Sequence, residues 1–330
     1  MAVTSQDVWQ DAVVVEARTV ARGIRRIVVE PEQPVAASPG SHVDVSLELD
    51  GDPVRRSYSV VESVDEGRRL AISVLRTKDS RGGSQFMHTL EPGDRLRMTQ
   101  PLQNFPLRIG APAYVLVAGG IGITAIAHMA AVLKSVRADY RLHYVGRSRE
   151  AMAYVDELEA EHGDRLELHA DDESGRFDVP GLVQGAPADA ELYMCGPIRL
   201  MDAVRRSWAG AGREPSSLRY ETFGNSGWFD AEPFTVQVPR LGVRTEVPSG
   251  CSLLEALENA GVAMLSDCRK GECGICQVRV LDLEGEIDHR DVFFSERQHN
   301  NGGKLCACVS RVIAGQQAAP GGSVLTLDVG

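Results

Sequence analysis

The chain has 330 residues, and this length favours two or three domains over a single core. Hydrophobic residues make up 43% and charged residues 25%, which is typical of a folded protein and excludes a fibrous or largely disordered chain. The formal net charge of -11 and the pI near 5.3 argue against nucleic-acid binding as a main role, because such domains normally present a basic face.

The N-terminal region alternates apolar and polar positions in short segments broken by Gly, Pro and Asp, such as "SHVDVSLEL" and "RLAISVLR". This pattern predicts an antiparallel β-barrel. Two stretches within it are chemically distinctive. "RRSYSV" places Arg56, Tyr58 and Ser59 at alternating or adjacent positions of one strand. "RGGS", residues 81–84, offers backbone donors and a hydroxyl that could bind a phosphate.

A segment from Ile109 to Leu133 lacks charged residues and is long enough to be a membrane-span candidate. Gly119, Gly120 and Gly122 interrupt it, which favours a buried strand, a glycine turn and a helix instead. Such a G-G-x-G-x-T turn lets a phosphate-bearing ligand approach the backbone at a helix N-terminus. The N-terminus shows no basic segment followed by an apolar stretch, so we expect a cytoplasmic protein.

The region after this turn alternates between strand and helix patterns. "RLHYVGRS" predicts a second strand, residues 150–163 a helix closed by Gly163, and "LELHAD" a third strand. Together these segments predict a parallel sheet covered by helices. "AELYMCGP" predicts a strand that ends at Cys195, with Pro197 at the first helical position. Cys195 would then lie at the carboxyl end of its strand, where open α/β sheets bind ligands.

Three of the seven cysteines, Cys268, Cys273 and Cys276, have the spacing C-x4-C-x2-C. This spacing is typical of a plant-type 2Fe-2S cluster. Structural zinc is the alternative, although it more often uses two C-x-x-C pairs or cysteines followed by a histidine pair. The later stretch "LCACVSR" supplies Cys306 and Cys308 as candidates for the fourth ligand.

The residues before these cysteines predict two amphipathic strands followed by a helix that begins near Ser252, where Ser252 and Glu255 have capping-box spacing. The C-terminal region resembles a plant-type ferredoxin domain. By position, "CVSR" is similar to the last-ligand segment of that family. The predicted metal ligands are therefore Cys268, Cys273, Cys276 and Cys308, with Cys306 as the alternative fourth ligand.

The motifs R-x-Y-S, G-G-x-G-x-T and C-G-P occur in the order found in the ferredoxin–NADP reductase superfamily. With a ferredoxin domain at the C-terminus, the whole chain resembles the phthalate dioxygenase reductase family, which includes the vanillate O-demethylase reductases. The resemblance implies a multidomain α/β and β fold. An antiparallel FMN-binding β-barrel would span residues 1–108, a parallel α/β NAD(P)-binding domain 109–226, and a β-grasp 2Fe-2S ferredoxin domain 227–330.

The resemblance also implies a role for each matched residue. Tyr58 would pack on the flavin, Arg56 would approach its phosphate or ribityl chain, and Ser59 would hydrogen-bond near N5. Phe223, in "YETFG", would shield the flavin until nicotinamide displaces it. The predicted flavin-binding set is Arg56, Ser57, Tyr58, Ser59, Arg81, Gly82, Gly83, Ser84 and Phe223. The flavin would end at its phosphate near "RGGS", which implies FMN in place of FAD.

The pyridine nucleotide would bind at the glycine turn and at C-G-P. The predicted set is Gly119, Gly120, Gly122, Thr124, Arg147, Ser148, Cys195, Gly196 and Pro197. Catalytic roles, in the sense of orienting the cofactors, are assigned to Ser59, Thr124, Cys195 and Phe223.

The choice of nucleotide rests on conflicting evidence. Arg147 and Arg149 follow a predicted strand, where a 2′-phosphate could bind, whereas an acidic residue marks NADH in doubly wound folds. The family resemblance implies NADH, with NADPH as the alternative.

The resulting hypothesis is a reductase that passes electrons from NADH through FMN and a 2Fe-2S cluster to a Rieske-type aromatic oxygenase or O-demethylase. A cytochrome P450 is the alternative acceptor. A non-catalytic zinc-binding protein is the alternative from another class, but it leaves R-x-Y-S, "RGGS" and C-G-P unexplained.

Overall fold

The protein is described from a computed structural model that covers residues 7–49, 52–77, 82–223, 229, 231–314 and 322–329, without the side chains of residues 52 and 53. These residues form two compact units. The first contains the described residues through Gly196 together with Ala203–Glu221. The second contains Pro197–Asp202 and the described residues from Thr222 onward.

The first unit begins with an antiparallel β-barrel. Its six main strands follow each other in the order β4-β5-β2-β1-β6-β3, and a pairing between β3 and β4 closes the barrel. Alternating buried and part-exposed residues along β1 show why this segment forms a barrel strand, since its apolar side chains enter the core from one face. The elements are β1 (Trp9–Ala21), β2 (Ile24–Pro31), β3 (Ser41–Leu49), β4 (Asp52–Val64), β5 (Arg69–Leu75), α1 (Gly83–Met87), β6 (Arg95–Thr99) and β7 (Leu102–Gln103).

A five-stranded parallel sheet follows the barrel in the same unit, as the sequence predicts. Its three central strands are almost wholly buried, which explains their largely apolar sequences. The elements are β8 (Tyr114–Gly119), α2 (Ile123–Ser135), β9 (Tyr140–Gly146), α3 (Val155–His162), β10 (Leu166–Ala170), α4 (Asp171–Ser174), α5 (Val179–Gly185), β11 (Glu191–Cys195), α6 (Ile198–Gly210) and β12 (Leu218–Glu221).

The strand order in this sheet is β10-β9-β8-β11-β12. From β8, the strands β9 and β10 follow on one side of the sheet, and β11 and β12 follow on the other side. The carboxyl ends of β8 and β11 form the switch point of the sheet, which is where ligands bind in open α/β folds.

The predicted helix over residues 150–163 is shorter in the structure. Arg149–Ala151 forms a 3₁₀ turn, and Tyr154 adopts a left-handed backbone conformation with φ of 65°, so α3 begins only at Val155. The Tyr154 hydroxyl is hydrogen-bonded to the Ser73 hydroxyl of β5 in a buried position. This contact between the barrel and the parallel sheet accounts for the unusual backbone conformation that interrupts the helix.

The second unit has a mixed five-stranded sheet in the order β14-β13-β19-β15-β17, with a separate β16-β18 ribbon. This is the predicted β-grasp arrangement. Ser252 and Glu255 form the predicted capping box of α7, and Leu253, Leu254 and Leu257 are buried beneath it. The elements are β13 (Phe234–Val238), β14 (Val243–Val247), α7 (Leu253–Asn259), β15 (Gln277–Glu284), β16 (Glu286–Asp288), α8 (Glu296–Asn301), β17 (Lys304–Cys306), β18 (Arg311–Ile313) and β19 (Val324–Asp328).

The uncharged segment around the glycine turn does not form a membrane span. Among the described residues, no helix is both long and apolar enough to cross a bilayer. The structure instead has the predicted buried strand β8, a glycine turn and the helix α2.

Candidate functional site

A loop in the second unit points backbone N–H groups at a cysteine sulfur. The N–H groups of Lys270, Glu272 and Cys273 each donate to Sγ of Cys268 at 3.4 Å. Donors gathered on one sulfur stabilise negative charge there, as a thiolate that binds iron requires. The loop therefore fits a metal ligand at Cys268 on its own geometry.

Cys276, Cys306 and Cys308 lie together in the buried core of the second unit. Hydrogen bonds from the thiols of Cys306 and Cys308 lower the pKa of Cys276 to about 3. The same bonds, together with burial, raise the pKa of Cys306 and of Cys308. One thiolate can therefore be held in this cluster even before a metal contributes its charge.

The surroundings of Cys306 and Cys308 differ. The Cys308 thiol interacts with Cys268 and receives the N–H of Gly271, whereas the charge nearest Cys306 outside the cysteines is Asp291. Cys308 therefore faces the loop that contains Cys268, as the predicted set of four ligands requires.

Two glycines allow this loop to fold. Gly271 has φ of +79°, and a β-carbon there would lie 2.7 Å from Cγ2 of Val309. Gly274 has φ of +70°, and a β-carbon there would lie 2.3 Å from the ring of Phe293. Because any side chain at these positions would combine backbone strain with a clash, the sequence C-x4-C-x2-C needs its glycines as well as its cysteines.

Thr222 binds the cysteine loop and was not singled out by the sequence. Its N–H donates to Oε1 of Glu272 at 2.7 Å, and its hydroxyl donates to the carbonyl oxygen of Lys270 at 2.6 Å. Burial raises the pKa of Glu272, while the hydrogen bonds from Thr222 and the charge of Lys270 oppose this shift. Phe223, the predicted flavin-shielding residue, is half-buried and directly follows Thr222 in the chain.

In the barrel, Arg56 of β4 lies next to Gly83 of the "RGGS" motif, and Tyr58 lies two residues further along the same strand. A β-carbon at Gly83 would lie 3.1 Å from Nε of Arg56, so the guanidinium crosses the backbone at the start of α1. Burial raises the pKa of Tyr58 to about 12, and the positive charge of Arg56 opposes the rise. Arg56 therefore lies against the glycine turn, and its positive charge also acts on the Tyr58 hydroxyl.

The serines near this place have different surroundings. Ser84 accepts a hydrogen bond from the N–H of Thr77 at 3.3 Å, and the two hydroxyls lie 3.2 Å apart. Ser59 is buried, and the hydroxyl of Ser57 donates to Oδ1 of Asp44. Gly82 precedes α1 with φ of 86°. Arg81, the remaining member of the predicted flavin set, lies outside the described residues.

The glycine turn after β8 and the C-G-P turn after β11 pack directly against each other. A β-carbon at Gly122 would lie 2.1 Å from the carbonyl oxygen of Cys195, and one at Gly196 would lie 3.0 Å from Cα of Gly119. Gly120, in contrast, has open space where a β-carbon would stand. The turns thus bring two glycine-containing backbone segments together at the switch point of the sheet, with open space at Gly120, which fits a pyrophosphate.

The remaining residues of the predicted nucleotide set have the following surroundings. Thr124 is buried and its hydroxyl donates to the carbonyl oxygen of Ile121 at 2.9 Å, so it holds the glycine turn in shape. Cys195 is fully buried, and Pro197 directly precedes α6. The carbonyl oxygen of Arg147 accepts the N–H of Asp172 at 3.2 Å.

Two observations bear on the choice of nucleotide. Oγ of Ser148 is buried and has no hydrogen-bond partner in the described part of the chain. Arg149 forms ion pairs of 3.5 Å with both Glu159 and Glu173. The positive charge of Arg149, which the sequence offered to a 2′-phosphate, is therefore balanced by two carboxylates.

The comparisons with known proteins agree with this geometry. Residues 236–312 match the family of the 2Fe-2S iron-sulfur cluster binding domain. The chain is 38% identical to the heme-dependent oxidative N-demethylase beta subunit of Ectopseudomonas mendocina (strain ymp), over 83% of this chain and 86% of that protein. It is 36% identical to the vanillate O-demethylase oxidoreductase of Pseudomonas putida, over 83% and 87%.

Solved structures cover nearly the whole chain. A phthalate dioxygenase reductase, described as a modular structure for electron transfer from pyridine nucleotides to [2Fe-2S], matches with a TM-score of 0.71 and 31% identity over 97% of this chain and 98% of that one. An intact type IV self-sufficient cytochrome P450 monooxygenase matches with a TM-score of 0.64 and 33% identity. This match covers 97% of the present chain but only 41% of the monooxygenase.

These matches confirm the fold class and the oxidoreductase class predicted from the sequence. The solved reductase structure matches 97% of this chain, which contains the barrel, the parallel sheet and the β-grasp unit. The chain is a member of the phthalate dioxygenase reductase family, which includes the vanillate O-demethylase reductases.

Proposed function

We propose that this protein is the reductase component of a multicomponent oxygenase. It takes electrons from NADH and delivers them to a Rieske-type aromatic oxygenase or O-demethylase. The observation that carries the proposal is the cysteine loop, in which three N–H groups converge on Sγ of Cys268 and Cys308 faces the same loop. A domain built around such a loop transfers electrons and does not transform a substrate itself.

The residues present fit three cofactors. Cys268, Cys273, Cys276 and Cys308 would hold the 2Fe-2S cluster. Arg56, Tyr58 and the residues Arg81 to Ser84 would hold FMN, and the turns at Gly119–Gly122 and Cys195–Pro197 would hold NADH. When bound, FMN exchanges two electrons with NADH and single electrons with the cluster.

The chain itself positions these groups. Arg56 supplies positive charge beside the glycine turn that would bind the flavin phosphate, and the half-buried ring of Tyr58 supplies an aromatic surface for the ring system. Gly122 and Gly196 allow the two turns to pack backbone against backbone, and Thr124 holds the glycine turn through the carbonyl oxygen of Ile121. Ser59, Cys195 and Phe223 would orient the flavin and the nicotinamide.

Thr222 helps to form the proposed cluster site. It holds the cysteine loop by two hydrogen bonds, and its neighbour Phe223 is the residue proposed to shield the flavin. In the proposed domain assignment, residues 1–108 bind FMN, residues 109–226 bind the nucleotide and residues 227–330 bind the cluster.

NADH is the proposed electron donor. The two carboxylates that pair with Arg149 balance the charge that a 2′-phosphate would need, and this favours NADH over NADPH. We also propose the cytoplasm as its location, because thiolate iron ligands persist in reducing compartments.

A cytochrome P450 is the second candidate acceptor. The match to a self-sufficient P450 monooxygenase supports it, because a similar chain is there part of one polypeptide with a P450. The Rieske-type acceptor is favoured by the relatives named as demethylase and dioxygenase components.

The proposal is tested by separating the two halves of the electron path. Wild-type protein and Cys268→Ser are compared with NADH and two acceptors, ferricyanide and cytochrome c. We expect Cys268→Ser to reduce ferricyanide at the wild-type rate, because the flavin half is intact, and to lose cytochrome c reduction. Equal cytochrome c reduction by both proteins would contradict a path through the cluster.

The acceptor class is tested by supplying NADH and reductase to a purified Rieske-type oxygenase component or to a ferric P450. Faster reduction of the Rieske protein supports the main proposal. Faster reduction of the P450 would replace it with the second candidate.

A further inference from the structure

Two histidines and an aspartate form a compact group in the second unit, which we name the histidine–aspartate cluster: His289, Asp291 and His299. One potential ligand atom from each residue lies within 4.8 Å of the other two. His289 and Asp291 follow β16, and His299 lies on α8. The two imidazole rings are stacked, with centroids 4.2 Å apart and an interplanar angle of 22°.

Asp291 supplies a buried negative charge to this group. Its side chain is fully buried, and Nε2 of His299 lies 3.0 Å from Oδ2. Oδ2 also accepts the N–H of Phe294 at 2.9 Å, and Oδ1 accepts the hydroxyl of Ser310 at 3.3 Å. A buried carboxylate of this kind is normally paired with a cation.

His289 is the residue of the histidine–aspartate cluster whose ring nitrogens make no hydrogen bond in the described part of the chain. Its side chain is only 11% exposed. Nδ1 lies 3.7 Å from Oδ1 of Asp291, which is too long for a hydrogen bond. A neutral imidazole has one N–H and one lone pair to satisfy, so its burial without partners is costly.

We infer that the histidine–aspartate cluster binds a divalent transition metal of the zinc type, with His289, Asp291 and His299 as its three protein ligands. Imidazole nitrogens and a carboxylate oxygen form a donor set that Zn²⁺ favours. Three protein ligands leave the fourth tetrahedral position for water. A pure hydrogen-bond arrangement accounts for His299 and Asp291 but leaves both nitrogens of His289 unused.

The site is tied to the cysteine loop through the backbone. The N–H of Val292 donates to the carbonyl oxygen of Gly271 at 3.0 Å. A β-carbon at Gly271 would also lie 2.9 Å from Cα of Asp291. A metal bound to Asp291 would therefore also restrict the motion of the loop between Cys268 and Cys273, because that loop contacts Asp291 and Val292 through Gly271. The inference concerns a second metal site and stands apart from the four cysteines.

The test uses the full chain with its iron–sulfur cluster in place. The protein is titrated with ZnCl₂ by calorimetry, while iron release and the visible spectrum of the cluster are followed in parallel. We expect one zinc site per chain and no release of iron. His289→Ala and His299→Ala should each weaken zinc binding at least about 10- to 100-fold, the loss typical of removing even an outer-sphere partner.

His169→Ala is the matched control, because His169 also has a nearby carboxylate, Asp171, at 3.6 Å but lies in the other unit. It should bind zinc like the wild type. His299 is part-exposed on α8, so we expect His299→Ala to fold even where His289→Ala does not. An unchanged visible spectrum of the iron–sulfur cluster in His299→Ala shows that this variant is folded.

Three results would overturn the inference: absence of stoichiometric zinc binding, unchanged affinity in a folded His299→Ala, or zinc uptake matched by iron release. The iron site is monitored separately, so failure here leaves the proposed reductase function intact.

Discussion

Gly122 contacts the backbone of Cys195 so closely that a β-carbon at Gly122 would lie 2.1 Å from the Cys195 carbonyl oxygen. The two residues belong to different motifs, 73 positions apart in the chain (195 − 122), and they meet because β8 and β11 are neighbours in the parallel sheet. The G-G-x-G and C-G-P motifs are therefore two halves of one surface.

Gly122→Ala tests this relationship. The added methyl group must displace a backbone carbonyl, so we expect a loss of about 1–3 kcal/mol in unfolding free energy and slower flavin reduction by NADH. Gly185→Ala is the control, because nothing lies near a β-carbon there, and its stability should change by less than about 0.5 kcal/mol. Chemical denaturation and stopped-flow reduction provide the two measurements. Equal behaviour of the two variants would refute the close packing.

Cys308→Ser and Cys306→Ser distinguish the two candidates for the fourth ligand. Cys308 faces Cys268 and Gly271, so Cys308→Ser should lose the cluster, with iron content and the visible absorption of the cluster both falling. Cys306→Ser should keep about two iron atoms per chain. Iron analysis of the two proteins, purified without oxygen, gives the answer. The reverse pattern would make Cys306 the ligand.

Arg56→Ala should weaken FMN binding. A charge-assisted hydrogen bond contributes about 1.5–3 kcal/mol, so the dissociation constant should rise about 10- to 100-fold. Arg69→Ala is the control, since Arg69 lies on the neighbouring strand β5 in an exposed ion pair with Glu30. Fluorescence titration of the flavin-free protein measures both. An Arg56→Ala protein that binds FMN as tightly as the control would exclude Arg56 from the flavin site.

His162 predicts the direction of one pH effect on stability. Burial lowers the pKa of His162, so the folded protein binds a proton there less readily than the unfolded chain does. Above the unfolded pKa of about 6.5, His162 is neutral in both states and does not lower the free energy of unfolding. As the pH falls below about 6.5, the unfolded chain binds the proton more readily, so the free energy of unfolding decreases. The Tyr140 hydroxyl lies 2.7 Å from Nδ1 of His162.

The measurement is the thermal unfolding midpoint at about pH 7.5 and about pH 5.5, on either side of the unfolded pKa. The wild type should lose more stability on acidification than His162→Gln, which has no proton to gain. Parallel losses in the two proteins would show that His162 does not contribute.

Much of the fold was predictable because its signals are local. The strand alternation of the barrel, the capping box at Ser252 and the spacing of Cys268, Cys273 and Cys276 each act over a few residues. The family resemblance then joined these signals into one architecture. The start of α3 was predicted wrongly, because the contact of Tyr154 with Ser73 is a tertiary interaction that periodicity does not contain.

The parts that were missed depend on long-range contacts. Thr222 binds Lys270 and Glu272, about fifty positions further along the chain, and no local pattern marks it. His289, Asp291 and His299 lack a standard metal-binding spacing and come together only through the turn before α8. The sequence also could not show that Thr124 uses its hydroxyl to hold the glycine turn.

The most direct test of the central claim is the visible spectrum of the protein purified without oxygen, recorded before and after stoichiometric NADH and then NADPH. The proposed function predicts flavin and 2Fe-2S absorption that bleaches on addition of NADH, with little further change on NADPH. A colourless protein with zinc in place of iron would contradict the electron-transfer function.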